Sequence, residues 1–412
     1  MELIDSRNGT IRQEENEDRK ALDQILRQGA QQMLQKMIEW EVQEYLMAHE
    51  KEHDKLGYRL VVRNGWRENR MLQTGLGDIE IRQPRVNDRR EGKRFTSNIL
   101  PPYMRRSPSI EALIPALYLA GVSTNNFTNA LESILGEKAR GLSANSIVRL
   151  KNIWEGEYRQ WASRDLSGKE YVYWWVDGIY FNVRLTDERP CLLVIIGALA
   201  DGTKELVTIW DGERESKISW KEILSDLKRH GITKAPKLAI GDGALGFWAA
   251  LEEEYPQTKQ QRCWVHKTAN ILDKLPKSVQ PSAKELIRQM YMSPTKETAL
   301  EVYDEFLKCY QAKYPKACEC LEKDKEVLFT FYDYPAEHWT HIRTTNVIES
   351  AFATVRHRTR QTKGCGSRIA TLVMVYKLGR EAEKHWQKIR AHKLIEKVIA
   401  GIRFTNGIEE VA

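Results

Sequence analysis

A chain of 412 residues, 42% hydrophobic and 29% charged, has the apolar material for ordinary cores and the length of about two or three domains, which excludes a disordered protein. The formal net charge of +7 is too mild to imply a nucleic-acid partner by itself. No apolar run approaches the ~20 residues of a bilayer span, Met1–Lys20 is polar where a signal peptide would be apolar, and Cys191, Cys263, Cys309, Cys318, Cys320 and Cys365 form no paired framework, so a reducing cytoplasm without membrane contact is expected.

Residues 1–16 read as a disordered lead. From Asp18 to His49, Leu22, Ile25, Leu26, Met33, Leu34, Met37 and Ile38 recur at helical spacing, with Gln24, Gln28, Gln35 and Glu39 opposite. Such a helix must bury its stripe, against a partner subunit or against the next domain. From Gly57 to Pro102 glycines punctuate short apolar runs, and Pro84, Pro101 and Pro102 argue against long helices. Between Gly57 and Ser107 stand 12 Lys/Arg and 5 Asp/Glu, a basic segment suited to phosphate. Helices resume from Ser109 to Ala120, continue past Gly121 to about Leu135, and begin again at a Ser143 cap through Trp154. Helix, glycine turn and helix fit a helix-turn-helix, and equally a structural hairpin.

At Tyr171 the periodicity changes to that of strands: Tyr171–Val176, Tyr180–Leu185, Cys191–Ala200 and Glu205–Trp210. A helix from about Lys217 to Lys228, a strand Lys237–Gly241, a helix Leu245–Glu254 and a strand Thr258–Arg262 follow. Hairpins followed by β-α-β units predict an α/β fold, a mixed sheet with helices on its faces. The pattern is helical from Lys267 to about Tyr332 and again from Thr344 almost to the end. Between Arg356 and Lys397 there are 12 Lys/Arg and 3 Asp/Glu, a second basic region. The division that results is 1–56, a helix suited to dimerisation; 57–107, basic; 108–168, helical; 169–266, the first part of the core; 267–340, a helical insertion; 341–385, the last part of the core; and 386–412, a basic helix and tail.

Four Asp-Gly pairs fall among the strands, at Asp177, Asp201, Asp211 and Asp242. Asp-Gly between apolar runs is first a hairpin turn, a reading sufficient for Asp201 and Asp211 and available for Asp177. Asp242 precedes a helix and fits a cap; Asn346 to Glu349 fits a capping box. As a set these acids mean more. Asp177 ends one apolar strand, Asp242 ends another, and Glu349 follows 107 residues later on a helix whose Asn346, Glu349 and Arg356 share a face. Carboxylates on a rigid frame are what two-metal phosphoryl transfer requires. Cys263 and His266 could form half of a zinc site, but Cys318 and Cys320 have a spacing that suits no common zinc motif. Otherwise the pair sits near a scissile phosphate or packs in the core. Trp264 beside them is a core residue or a platform for an unpaired base.

The chain resembles the Mutator-like DDE transposases of bacterial insertion sequences, over nearly its whole length except the first 20 residues and the short C-terminal tail. The resemblance rests on Leu-Ala-Gly-Val-Ser-Thr at 119–124, Val176-Asp177-Gly178, Gly241-Asp242-Gly243-Ala244, Cys263-Trp264-Val265-His266, Arg343-Thr344-Thr345-Asn346-Val347-Ile348-Glu349 and Arg356-His357-Arg358-Thr359-Arg360. It implies an RNase H-like core, a mixed five-stranded sheet with an all-helical insertion between the second and third acids. It implies Asp177, Asp242 and Glu349 as catalytic metal ligands holding two Mg²⁺, with Mn²⁺ as a substitute. Cys263, Trp264, His266, Asn346, Arg356, Arg358 and Arg360 become the expected DNA-binding or site-supporting residues. The expected partners are double-stranded DNA, as terminal inverted repeats and target, and further copies of the chain in a dimer or larger assembly. Two competing readings share these residues: an RNase H-fold nuclease that cuts without joining, and a silent DNA-binding regulator.

Overall fold

In a computed structural model the described residues are 5–119, 144–180, 191–212, 214–243, 245–350, 352 and 367–410. Arg356, Arg358 and Arg360, the middle helix of the helix-turn-helix pattern and most of the strand expected at Tyr180–Leu185 lie outside them. The chain divides into two compact units, Met1–Val148 and Arg149–Ala412.

In the first unit helix α1 covers Asp5–Ala48, so it includes residues read from the sequence as a disordered lead. That lead is rich in Arg, Glu and Gln, which propagate a helix already nucleated. Strands β1 (Val61–Trp66) and β4 (Pro84–Asp88) pair antiparallel, and β2 (Arg70–Thr74) and β3 (Gly77–Ile81) form a hairpin. Ile38 of α1 is buried with Leu72, Ile79, Ile81 and Leu100, and Ala30 and Leu34 pack beside it. The next segment of the chain therefore takes the helix stripe, but only part of it: Leu22, Ile25, Leu26, Met33 and Met37 remain exposed. Gln35, expected on the solvent face, exchanges hydrogen bonds with the backbone of Arg82. It satisfies a strand edge that would otherwise need water. Helix α2 covers Pro108–Leu119.

Helix α3 (Ala144–Ala162) leads into the second unit. Its sheet runs in the order β7-β6-β5-β8-β9. Strands β5 (Tyr171–Tyr180), β6 (Cys191–Leu199) and β7 (Lys204–Gly212) are successive antiparallel neighbours. Strands β8 (Leu238–Gly241) and β9 (Lys259–Arg262) are parallel to β5 and to each other in turn. Both faces are covered, which is why β5 and β6 read as unbroken apolar runs. Trp174 and Val176 of β5 share a core with Trp220, Ile223, Leu224 and Leu227 of α4 (Lys217–Arg229) and with Phe247, Ala250 and Leu251 of α5 (Leu245–Glu254). On the opposite face Tyr173 O–H meets His338 Nδ1 at 2.8 Å, and Trp175 Nε1 donates to the His341 carbonyl.

After β9 the chain is helical: α6 (Trp264–Leu272), α7 (Gln280–Met292), α8 (Lys296–Tyr310), α9 (Pro315–Glu322), α10 (Lys325–Leu328) and, after two 3₁₀ turns, α11 (Trp339–Ile342). Helix α12 opens at 346 and carries Glu349; α13 (Arg368–Glu383) packs on β7, and α14 (Leu394–Ile399) follows. The expectation of helices almost to the end misses a closing hairpin, β10 (Phe404–Thr405) and β11 (Ile408–Glu409). Its turn is Asn406-Gly407, both at positive φ, the ordinary chemistry of a two-residue hairpin.

Candidate active site

The parallel register of β5 and β8 pairs Trp175 with Ile240 and Val176 with Gly241. One residue further along each strand stands an aspartate, Asp177 and Asp242. Side chains alternate along strands, so both belong to the face of Tyr173, Trp175 and Ile240. Asp177 is not in a hairpin turn. It lies inside β5 opposite Val194, and β5 runs on to Tyr180. Asp201 does occupy a turn: its carboxylate accepts from Thr203 N and Oγ1 and pairs with Lys388 Nζ at 2.8 Å. Asp211 lies within β7 and takes Arg368 Nε on both carboxylate oxygens at 2.7 Å.

Asp242 is held by Arg262, whose Nη1 lies 2.7 Å from Oδ1, and its carbonyl accepts from Trp248 Nε1. The guanidinium is only 5% exposed, and its Nε also reaches Asp324 Oδ2 at 3.1 Å. Lys267 Nζ neutralises the same Asp324 oxygen at 2.6 Å. The guanidinium crosses the backbone just after Asp242, where a Cβ on Gly243 would collide with it.

Glu349 is brought in by the junction of β9 and α6. Trp264 N donates to the Arg343 carbonyl, and Thr345 donates from both N and Oγ1 to Cys263 Sγ at 3.2 and 3.3 Å. Thr345 also caps α12, its carbonyl accepting from Ile348 N and Glu349 N. The cap is therefore Thr345, and the capping box between Asn346 and Glu349 does not form. Asn346 is exposed at the start of the helix. Glu349 Oε1 faces His266 Nε2 at 3.6 Å, while Nδ1 of that ring lies 3.4 Å from Thr345 Oγ1. The hydrogen bond with Cys263, then the charges of Cys263, Asp242 and Asp177, push His266 up to about 9 against the pull of burial. The ring faces Glu349 directly, and the charges of Asp242 and Asp177 act on it from further away.

Trp264 is fully buried, with Nε1 donating to the Leu328 carbonyl and its ring against Tyr291 and Phe329. It supports the helical region and offers no face to a nucleotide base. Cys318 is buried in α9.

The sequence reading passes over Glu215, between β7 and α4. Its carboxylate accepts from Gly178 N, next to Asp177. Burial, then Asp177 and Asp242, push it up to about 7. Nothing local marks this residue in the sequence; its context, Arg-Glu-Ser-Lys, reads as solvated polar loop.

Among the described residues no three acids, histidines or cysteines converge closely enough, as their side chains stand, to hold a metal ion. The donor set is nonetheless the hard carboxylate oxygen that Mg²⁺ takes, on two adjacent strands and one helix.

Comparison with known proteins adds the lineage. Residues 3–389 match the family described as transposase, Mutator family. The transposase for insertion sequence element IS6120 of Mycolicibacterium smegmatis is 54% identical over 295 residues, 72% of this chain and 91% of that protein. The transposase for insertion sequence element IST2 of Acidithiobacillus ferrooxidans is 52% identical over 286 residues, 68% and 94% of the two chains. The transposase for insertion sequence element IS256 in transposon Tn4001 of Staphylococcus aureus is 28% identical over 320 residues, 76% and 79%.

Proposed function

The chain belongs to the Mutator family of transposases, and from that premise we propose that it moves an insertion sequence, hydrolysing a phosphodiester at a transposon end and joining the freed 3′-OH to another DNA strand. The observation that carries this reading is the placement of Asp177 and Asp242 one residue past the paired Val176 and Gly241, on one face of the sheet. Three antiparallel strands followed by two parallel ones, with helices on both faces, support an RNase H-like core.

Asp177, Asp242 and Glu349 would hold two Mg²⁺. Bound there, the ions would activate the attacking oxygen and stabilise the leaving one. The chain's own groups supply the positioning. Arg262 keeps Asp242 at the strand end, and His266 orients Glu349 from the β9–α6 corner. Thr345, tied to Cys263, fixes where α12 begins and so where Glu349 points.

DNA recognition is assigned to the basic segment 57–107, as terminal-repeat contacts, and to the basic stretch after Glu349. Within the first segment Arg90 is spent on Asp88 and Glu52, and Arg59 on Glu50. Arg63, Arg82 and Trp66 form a cation–π group that offers both charge and a ring to a nucleic acid. Cutting two ends in concert implies a dimer or larger assembly.

Labelled transposon-end DNA incubated with a target duplex and Mg²⁺ tests the reading. Joined product is expected. Cleavage without joining would make the protein a nuclease, and binding without cleavage a regulator.

A further inference from the structure

We propose that the outward face of α1 is the surface on which two copies of this chain associate, the two helices lying antiparallel about a two-fold axis. This gives the assembly that the proposed function calls for a place on the molecule, and it stands independently of the reading of Asp177, Asp242 and Glu349.

Helix α1 carries two apolar stripes where a surface helix needs one. The first holds the β2–β3 hairpin through Ile38, with Ala30 and Leu34 beside it. The second runs along the other side. Leu26, Met33, Trp40 and Met47 follow one another at a constant heptad interval, and Leu22 and Met37 stand one helical turn from Leu26 and Met33. At about 100° per residue these six fall within a strip roughly 80° wide that faces away from Ile38. All six are exposed, Met33 at 70% and Trp40 at 57%. A heptad repeat is the spacing of a seam between two helices, not of a face turned to water. Between Leu22 and Met47 the strip is interrupted only by Gly29 and Glu44, with Lys36 at its edge.

Size and shape say what fits there. Six side chains of this bulk, each about half bare or more, expose on the order of 700–800 Å², close to what one partner brings to a standard interface and above the largest apolar patch of a typical monomer. The strip is also complementary to itself. Laid antiparallel over its full length against a second copy, Leu22 faces Met47, Trp40 faces Gly29, and the stem of Lys36 lies on Met33 with its ammonium free to reach water. A Cβ on Gly29 would meet nothing within 4 Å among the described residues of its own chain. A glycine inside a helix weakens it, and Trp40 of a second copy, the largest side chain of the strip, needs the space that this one leaves. A parallel pairing would instead set Lys36 against Lys36 and Glu44 against Glu44. A two-fold contact of this kind uses one patch twice and closes at two copies.

Sedimentation equilibrium of the full-length protein at micromolar concentration, without DNA, reads the association. The wild type should show twice the mass of the chain. Met33→Glu and Trp40→Glu should each weaken association at least about thirtyfold, as loss of a central interface anchor does. Gly29→Leu, which fills the seat of Trp40, should weaken it about tenfold. Leu56→Glu, at a side chain just as bare but beyond the end of α1, should associate as wild type does. Met33→Gln carries the test if a Glu variant does not fold. A monomeric wild type overturns the proposal, and so does undiminished association of the Met33 and Trp40 variants. A lowered urea midpoint with unchanged mass would mean that another part of the same chain covers the strip, and overturns it as well. Orientation is read by oxidative cross-linking against the wild-type background. Met33→Cys mixed with Lys36→Cys should link two copies, whereas Met33→Cys linking to itself would overturn the antiparallel arrangement.

Discussion

His266 Nε2 stands 3.6 Å from Glu349 Oε1, so an imidazole on the helix after β9 faces an acid that follows it by 83 residues. The Cys263 hydrogen bond, then the charges of Cys263, Asp242 and Asp177, push the ring up to about 9 against the pull of burial. A raised value in the folded state means that the stability it contributes is fully present below about 6.5 and is lost as pH climbs through 9. His266→Gln should therefore be less stable than wild type at pH 6, with the gap in urea midpoint closing by pH 9.5. Cleavage should fall about ten- to a hundredfold because Glu349 loses its orienting partner. A gap constant across that range would show that the ring is neutral.

Asp177→Asn, Asp242→Asn and Glu349→Gln should each reduce strand cleavage by at least about a hundredfold while DNA binding persists, since size is kept and only the charge is removed. Asp201→Asn should cleave normally, because its carboxylate serves a turn and Lys388. A gel assay of nicked product and a filter-binding assay on the same variants check both halves. Retained cleavage in any of the three would remove that residue from the site.

Trp264→Ala should cost about 3–5 kcal/mol of stability, the usual cost of emptying a fully buried indole site. At a temperature where the variant stays folded, its affinity for transposon-end DNA should equal the wild type's. Chemical denaturation and DNA titration read the two effects. A selective loss of DNA affinity with unchanged stability would restore the base-stacking role.

His341 carries the opposite pH signature. Burial, then the charges of Lys204, Arg390 and His338, lower it to about 4, and its Nε2 accepts from Arg390 N at 3.3 Å, which a protonated ring could not do. A depressed value means that stability is intact above about 6.5 and is lost as pH falls toward 4. The slope in that window reaches at most about 1.4 kcal/mol per pH unit for one proton. His341→Gln should flatten the acid side of the urea-midpoint profile. An unchanged profile would assign acid lability to other groups.

A truncation that begins after Arg106 removes the basic segment together with α1, which packs on it. It should bind terminal-repeat DNA more weakly and with a shallower dependence on log salt, by roughly 0.9 for each phosphate that the shortened protein no longer neutralises. Equal affinity and equal slope would move the footprint to the basic stretch after Glu349.

Much of this protein was legible in its sequence because local periodicity reports local structure. The apolar runs at 171–176 and 238–240 and the helical stretch that follows β9 each come from residues within a few positions of one another. So did the candidacy of Asp177, Asp242 and Glu349, once strand ends and a helix face were considered together. Where the sequence was ambiguous, the alternatives differed only in distant contacts. Asp177-Gly178 has the composition of a turn, yet pairing with Val194 keeps it inside β5. Trp264 has the composition of a stacking platform, yet Tyr291, Phe329 and the Leu328 carbonyl enclose it. Gln35 looks like a solvent residue, yet a strand edge claims it. Only the tertiary structure could set Asp177 beside Asp242, because that depends on β8 choosing β5 as its parallel neighbour after the chain has passed through β6, β7 and α4. Glu215 is the extreme case: its neighbours Gly178 and Gly246 are remote in sequence, and what draws a glutamate there is the close approach that two missing Cβ atoms allow.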